Sequence, residues 1–262
     1  MPDKSLGHDG TGSDGTGGGK LHIGTSGWHY PHWRGPFYPK GMAARAFLGF
    51  YAERFGAVEI NNTFYRLPTP ATLAAWRAAT PAGFLFACKA SRYITHMKKL
   101  SDPAAATRRL FDRVTLLGPK LGPILFQLPP HWHLDAGRLA QFLAALPRGF
   151  RFAFEFRDES WFAPPVFRLL ERHGAAACAY DLGGRRAPIR VTADFVYVRL
   201  HGPGDPYRGR YDGRTLAAWA RRARAWRQSG LDVHCYFDND EAGHAAEDAL
   251  RLQALLQDGD AA

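Results

Sequence analysis

The sequence predicts an α/β fold, a (β/α)8 barrel of the TIM type, on three observations. Eight short apolar runs alternate with about seven helical patterns, the element count of a closed barrel. Nearly every run ends in a polar or charged residue. No glycine-rich phosphate fingerprint follows the first run, which argues against an open, doubly wound sheet.

Residues 1–19 are mostly Gly, Asp, Ser and Thr; such a stretch buries too little apolar surface to offset the entropy of ordering and is expected to be a disordered tail. One barrel domain is expected over 20–257, followed by a short C-terminal tail, 258–262. The first strand, Leu21 to Thr25, leads into the aromatic loop Ser26-Gly27-Trp28-His29-Tyr30-Pro31-His32-Trp33. That loop reads equally as a hydrophobic plug over the barrel mouth and as a ligand contact through Ser26, Trp28 and Tyr30. Phe47, Leu48, Phe50, Tyr51 and Phe55 recur at helical spacing before the stop signal Gly56. A second strand from Ala57 to Tyr65 carries Glu59 and Asn61 on one face, and Thr69-Pro70 caps the next helix.

Strand three, Phe84 to Lys89, ends on a lysine that is costly to bury unpaired. Asp102-Pro103 opens another helix; strand four, Ile124 to Leu128, carries Gln127, and a helix follows from Asp135 to Leu146. Strand five, Arg151 to Arg157, delivers Glu155 and Arg157 to one face, because strand side chains alternate with period two. Pro164-Pro165 starts its helix. A sixth strand, Ala175 to Asp181, is followed by Leu182 to Asp194, which contains no convincing apolar helix, so helix six is expected to be degenerate. Strand seven, Phe195 to His201, puts Arg199 and His201 in phase; a loop with Tyr207 and Tyr211 then reaches a helix over Thr215 to Gln228. Strand eight, Val233 to Asp238, precedes Asn239 and a last helix reaching Leu256.

The net charge of +10 raises the question of polyanions. Only seven of the 34 basic residues are lysines, and arginines are spread along the chain, so a dispersed positive surface and a dedicated polyanion site both remain open. No apolar run reaches the roughly 18 residues of a membrane span, and the amino terminus lacks the apolar stretch of a secretory leader. Cys88, Cys178 and Cys235 are scattered without metal-ligand spacing. These features predict a cytoplasmic protein that does not enter membranes.

In a barrel the strand ends converge on one mouth. That gathers Glu59, Asn61, Lys89, Gln127, Glu155, Arg157, Asp181, Arg199, His201, Asp238 and Asn239. Glu59 and Glu155 are the candidate general acid and base, and His201 the candidate proton shuttle. Lys89, Arg157 and Arg199 suit an anionic substrate group. Ser26, Trp28, Asn61, Tyr65, Gln127, Asp181, Tyr211, Asp238 and Asn239 complete the expected substrate-binding set. Three alternatives stand beside this assignment: a self-satisfying ionic plug, structural pairing of the glutamates with Lys89 and Arg157, and a Schiff-base role for Lys89. Asp181, Glu155 and His201 could form a carboxylate–imidazole metal site, but no spaced ligand motif supports one. No cofactor is assigned. The leading expectation is an acid–base enzyme for a small anionic, phosphorylated or sugar-like, substrate. Nucleic-acid binding through exposed Trp28, Trp33, Tyr207 and Tyr211 is the second, and a non-catalytic binding barrel the third.

Several motifs, in order, are similar to those of the YecE-like family, a domain of unknown function (number seventy-two). They are Gly24-Thr25-Ser26-Gly27-Trp28, Val58-Glu59 with Asn62-Thr63-Phe64-Tyr65, Lys89-Ala90, Ile94-Thr95-His96, Gln127-Leu128-Pro129-Pro130, Glu155-Phe156-Arg157 with Ser160-Trp161, and Arg199-Leu200-His201-Gly202. The resemblance spans residues 21 to 257 and implies a barrel of this kind; it supplies no reaction. Ser91 stands where the family usually has proline, and Asp238 where asparagine is common.

Overall fold

The computed structural model describes residues 18–258. The tails expected over 1–19 and 258–262 therefore lie almost wholly outside the described residues. Strands β1 (Leu21–Thr25), β2 (Ala57–Ile60), β3 (Leu85–Lys89), β4 (Leu121–Gln127), β5 (Phe152–Glu155), β6 (Ala176–Ala177), β7 (Ala179–Leu182), β8 (Arg185–Arg186), β9 (Phe195–Leu200) and β10 (Asp232–Phe237) form two five-stranded sheets. Their orders are β1-β10-β9-β7-β8 and β2-β3-β4-β5-β6. Every pairing is parallel except β7 with β8.

Parallel neighbours need crossovers, and the helices supply them: α1 (Phe47–Ala52), α2 (Pro70–Ala78), α3 (Pro103–Val114), α4 (Ala136–Ala145), α5 (Pro164–Arg172), α6 (Gly213–Gln228) and α7 (His244–Asp258). Their starts follow the capping signals in the sequence. The Thr69, Asp135 and Asp212 side chains accept hydrogen bonds from the backbone N–H groups of Thr72, Arg138 and Thr215, and α2, α3 and α5 open on proline.

The strands are apolar on both faces, as parallel strands buried on both sides must be. The outer faces join the helices in one large core that includes Cys88 and Cys235. A second cluster, Ala57, Ala87, Leu125, Ala153, Ala176, Cys178, Phe195, Tyr197 and Tyr236, draws on both sheets. Its small residues come from β2, β3, β5 and β6, and its aromatic ones from β9 and β10.

The sheets meet along a seam between β1 and β2. Ser26 and Glu59 form a parallel bridge, and the Gly27 N–H donates to the Glu59 carbonyl at 2.8 Å. Deeper in, the Tyr51 hydroxyl accepts from the Thr25 N–H (2.9 Å) and donates to the Ala57 carbonyl (3.1 Å). Gly24 is required by the closeness of this approach: a Cβ there would lie 2.1 Å from the Ala57 carbonyl oxygen. On the other side the link is the chain itself. Cys178 donates its N–H to the Phe154 carbonyl at 2.8 Å, and the next residue, Ala179, pairs with Val198 of the other sheet.

Two expected elements change. Strand two stops at Ile60, because a 3-10 turn over Asn62–Phe64 replaces its end; the Thr63 hydroxyl lies within hydrogen-bond distance of the Ile60 and Lys89 carbonyls and holds the turn against β3. In place of helix six, β7 and β8 form a hairpin turning through Gly183 and Gly184, with φ of 57° and 80°. A two-residue hairpin loop of this type needs left-handed backbone at both positions, and glycine provides it without steric cost.

Tyr51→Phe leaves the buried Ala57 carbonyl without its hydroxyl donor and is expected to cost about 1–3 kcal/mol in urea unfolding. Gly24→Ala should cost more, since the methyl meets backbone that cannot move aside.

Candidate functional site

Each interior strand position two residues beyond the apolar cluster carries a polar group: Glu59 after Ala57, Lys89 after Ala87, Gln127 after Leu125, Glu155 after Ala153, Arg199 after Tyr197 and Asp238 after Tyr236. Period two therefore brings them to one level at the carboxyl ends of the strands.

Arg199 is the hub, fully buried. Its Nε and Nη2 reach Glu59 Oε1 at 3.2 and 2.7 Å. Nη1 reaches Glu155 Oε2 at 2.9 Å, and Nη2 reaches Asp238 Oδ2 at 3.0 Å and Ser26 Oγ at 3.1 Å. Ser26 in turn donates to Glu59 Oε1, and the Tyr197 hydroxyl donates to Glu59 Oε2 at 2.7 Å. On the far side Arg157 pairs with Glu155 Oε1 through Nε and Nη2.

His201 sits between two guanidinium groups. Its Nε2 lies 3.1 Å from Arg157 Nη2 and 3.2 Å from Arg199 Nη1. Both neighbours can only donate, so Nε2 is the acceptor and the ring proton is on Nδ1, directed at Asp238 Oδ2 at 3.0 Å. This tautomer follows from hydrogen-bond chemistry.

Glu59, Glu155 and Asp238 carry three negative charges, and Arg157, Arg199 and Lys89 three positive ones, so the buried cluster is balanced. The partners set the protonation states. Burial pushes Glu155 up, but Arg157 and Arg199 outweigh it and hold the carboxyl well below its ordinary range. Burial likewise raises Asp238, while Arg199, His201 and Lys89 bring it below its ordinary value. Tyr197 is raised well above the usual phenol range by burial and the Glu59 charge.

Lys89 is the exception. It is 9% exposed, and its Nζ has neither a hydrogen bond nor an ion pair among the described residues. Its nearest described partner is the face of Phe64, 4.4 Å from Nζ to the ring centroid. Burial and the Arg199 charge lower its pKa to about 8, against the opposing pull of Glu155, Asp238 and Glu59.

Beyond Lys89 the chain forms a π-helix, Tyr93–Met97, then positive φ at Lys99, Leu100 and Asp102. The π-helix carries His96, half-buried, its ring edge-on to Phe64 with centroids 5.1 Å apart. Burial lowers the His96 pKa, and Lys89, Arg92 and Arg157 lower it further. All three charges acting on that ring are positive.

Ser26, Glu59, Glu155, Arg157, Arg199, His201 and Asp238 thus form one bonded network, with Lys89 beside it and Gln127 level with Glu155 in the β4–β5 register. Asn61 follows on the loop past Glu59, its Oδ1 buried without a partner among the described residues. Tyr65 stands on the same loop, 75% exposed.

Four residues expected at the site are used elsewhere. Asp181 accepts from the Gly184 N–H and Arg186 Nε, holding its own hairpin together; among the described residues it forms no metal-holding group with Glu155 and His201. Trp28 packs edge-on to Trp76 in the outer core. The Tyr211 hydroxyl accepts from the Gly202 N–H, and its own N–H donates to Asp248. Asn239 Nδ2 also donates to Asp248, at 2.9 Å, so the loop before α6 and the β10 end are both tied to α7. Trp33 is fully buried; of the four aromatics expected on an exposed stacking surface, only Tyr207 is exposed, at 45%.

Sequence reasoning passed over Tyr197, Tyr180 and His96. Tyr180, over which Arg157 stacks at 5.0 Å, lies two residues past the interior Cys178, and Tyr197 two before Arg199. Phase alone would have marked both. His96 lies on the π-helix, outside the strands, where period two gives no guide; only the family-like motif Ile94-Thr95-His96 contains it.

Glu59 and Glu155 were expected to be acid and base. Glu155 is instead held ionised by two guanidinium groups, and Glu59 accepts from Ser26, Tyr197 and Arg199 at once, so both anchor charge. Unspent capacity remains on Lys89 Nζ, Asn61 Oδ1 and Arg157 Nη1, which have no hydrogen-bond partner among the described residues, and on His96, whose Nδ1 lies 2.9 Å from the Thr95 hydroxyl.

A largely parallel α/β protein with a neutral, buried ionic cluster at its strand ends is the class that fold and site define. The profile of a family described as "Protein of unknown function DUF72" matches residues 22–262, and the chain belongs to that family. It is 26% identical over 273 residues to the UPF0759 protein YunF of Bacillus subtilis (strain 168), covering 90% of this chain and 94% of that one. Over 144 residues it is 31% identical to the UPF0759 protein YecE of Escherichia coli (strain K12), covering 55% of this chain and 50% of the other. The crystal structure of a DUF72 family protein from Thermotoga maritima MSB8 superposes with a TM-score of 0.82 at 25% identity, covering 91% of this chain and 99% of that one.

Arg199→Met removes the shared partner of three buried carboxylates and is expected to cost about 3–5 kcal/mol in denaturant unfolding. Glu155 and Asp238 have depressed pKa values in the folded state. Their contribution is therefore complete above the ordinary carboxylate range and is lost as pH falls through the lowered values; Glu155→Gln should flatten that acid limb of stability against pH.

Lys89 gives a slope of the same sign in a higher pH window, but there it is the charged form that the fold disfavours. Its folded pKa of about 8 lies below the ordinary lysine value, so the unfolded chain binds more protons above pH 8 and stability rises with pH there. Lys89→Met should stabilise the protein at pH 7, by on the order of 1–3 kcal/mol, with the gain shrinking as pH rises past 8.

Proposed function

We propose that the two sheets close into one (β/α)8 barrel and that its mouth is the active site of an acid–base enzyme acting on a small anionic substrate. Closure is supported by the Ser26–Glu59 bridge on one side and the unbroken run through Cys178 on the other. The observation that carries the functional reading is the unused donor capacity at the edge of the network: Lys89 Nζ has no carboxylate partner and Arg157 Nη1 is left over from the pairing with Glu155, both among the described residues.

In this reading Arg157, whose Nη1 has no partner among the described residues, holds the anionic group beside Lys89. A guanidinium fork suits a carboxylate or phosphate. His201, whose Nε2 already accepts from Arg157 and Arg199, stays in the fixed network with Asp238; His96, which lies against Phe64 as Lys89 does, is the proton-transfer group. Glu59, Glu155 and Arg199 supply the rigid, preorganised field behind it. A cytoplasmic location is supported by three buried cysteines, all unpaired, and no helix among the described residues is long and apolar enough to cross a membrane.

The test is binding of small anions. Phosphate and malonate at low ionic strength should raise the melting temperature of the wild type, as a ligand selective for the native state must, and should raise the His96 pKa followed by NMR. In Arg157→Gln the affinity should fall at least about tenfold, the loss of one charge-assisted hydrogen bond. Equal shifts in both proteins, with an unmoved His96 titration, would defeat the reading.

A further inference from the structure

We propose that Lys89 is a covalent amine: it forms an imine with a substrate that carries a carbonyl group next to its anionic group. This rests on the proposed active site and narrows its substrate class to carbonyl-bearing anions such as 2-oxo acids and phosphorylated aldoses or ketoses.

Three features of the geometry lead there. The Lys89 amine is nine-tenths buried, yet no carboxylate among the described residues pairs with it. Glu59, Glu155 and Asp238 are already taken up by Arg199, Arg157 and His201. A lysine whose purpose was to neutralise charge would be bonded to one of the three. Second, Phe64 presents its ring to Nζ at 4.4 Å, so one side of the amine is dry. The ring favours the ammonium form, whereas burial and Arg199 favour the free amine; desolvation beside another cation is a general way to activate a lysine nucleophile. Third, Phe64 lies against both the Lys89 amine and the His96 ring, at 4.4 and 5.1 Å, so a carbonyl that reaches Nζ lies close to the imidazole.

The step balances without a redox partner. The nitrogen lone pair of neutral Lys89 attacks the carbonyl carbon, and a C–N bond forms as the C=O π bond breaks. The carbonyl oxygen takes a proton and the nitrogen releases one, giving a carbinolamine. Protonation of its hydroxyl, then loss of water, gives the imine. His96 is placed to supply that proton once a bound anion has raised its pKa, and the proton lost from nitrogen restores the balance. The net change is amine plus carbonyl to imine plus water.

The experiment treats the full chain with glyoxylate or pyruvate and sodium cyanoborohydride, then maps the reduced adduct by mass spectrometry. Adduct is expected on Lys89 at least about tenfold faster than on any other lysine, since ordinary lysines are mostly protonated near pH 8. The rate should rise through about pH 8 and be slowed by malonate. Lys89→Arg should lose this adduct while keeping the malonate-induced rise in melting temperature, because it keeps the charge but not a usable amine. Labelling spread evenly over the lysines, or absent from Lys89, overturns the imine; if malonate still stabilises the protein, the anion-binding reading survives alone. Adduct on Lys89 that malonate neither slows nor competes with would support the amine and remove the anion seat.

Discussion

One buried guanidinium organises this molecule. Arg199 has no access to water, and an isolated charge in that position would cost many kcal/mol. Its donors are met only because Glu59, Glu155 and Asp238 arrive from β2, from β5 and from just past β10. Those elements belong to two different sheets, so satisfying the arginine and bringing the sheets together are one requirement. The small residues beneath it, Ala57, Ala87 and Ala153, leave room for the large Tyr197 and Tyr236 to fill the interior from the opposite side.

This cluster also explains the division of labour at the site. Groups that bond one another in full have no capacity left for a ligand, and an ionised carboxylate held by two guanidinium groups has no proton to give. Unused bonding is left at the periphery of the cluster, on Lys89, His96 and Arg157. The self-satisfying ionic plug, one of the alternatives in the sequence, describes the bonded interior of this arrangement; the groups with unused bonding lie at its edge.

Much of this was legible in the chain. Strand ends, helix starts at Thr69, Asp135 and Pro164, and the pairing of Glu155 with Arg157 follow from period and capping chemistry, which are local. The errors arose where charge was weighed above phase. Asp181 and Asn239 sit one residue out of register with the interior positions and were drawn in by their polarity alone, while Tyr180 and Tyr197, in register, were passed over. The Gly- and Pro-rich aromatic segment reads equally as a plug and as a ligand contact, and exposed Trp28 and Trp33 belong only to the nucleic-acid reading; tertiary packing decides that these rings turn inward. The solitary state of Lys89 could not be read at all, since it depends on which of several nearby carboxylates the arginines reach first.

The hairpin that takes the place of a sixth helix leaves a different kind of wall. Behind β6 the chain is secured by Thr192, whose hydroxyl accepts from the Ala177 N–H and donates to the Ala175 carbonyl, while Ile189 and Val191 beside it remain partly in water. A helix would shield that flank with a continuous face; here the Thr192 staple, the Ala187 N–H on the Tyr180 carbonyl and Arg190 over the Phe167 ring do so. Transient opening of the scaffold should therefore begin at this flank, and amide hydrogens of β6 and β7 should exchange before those of β3 and β4. Glu155, which lies on the neighbouring strand, would feel such breathing first, so the least guarded edge of the protein adjoins its most tightly bonded interior.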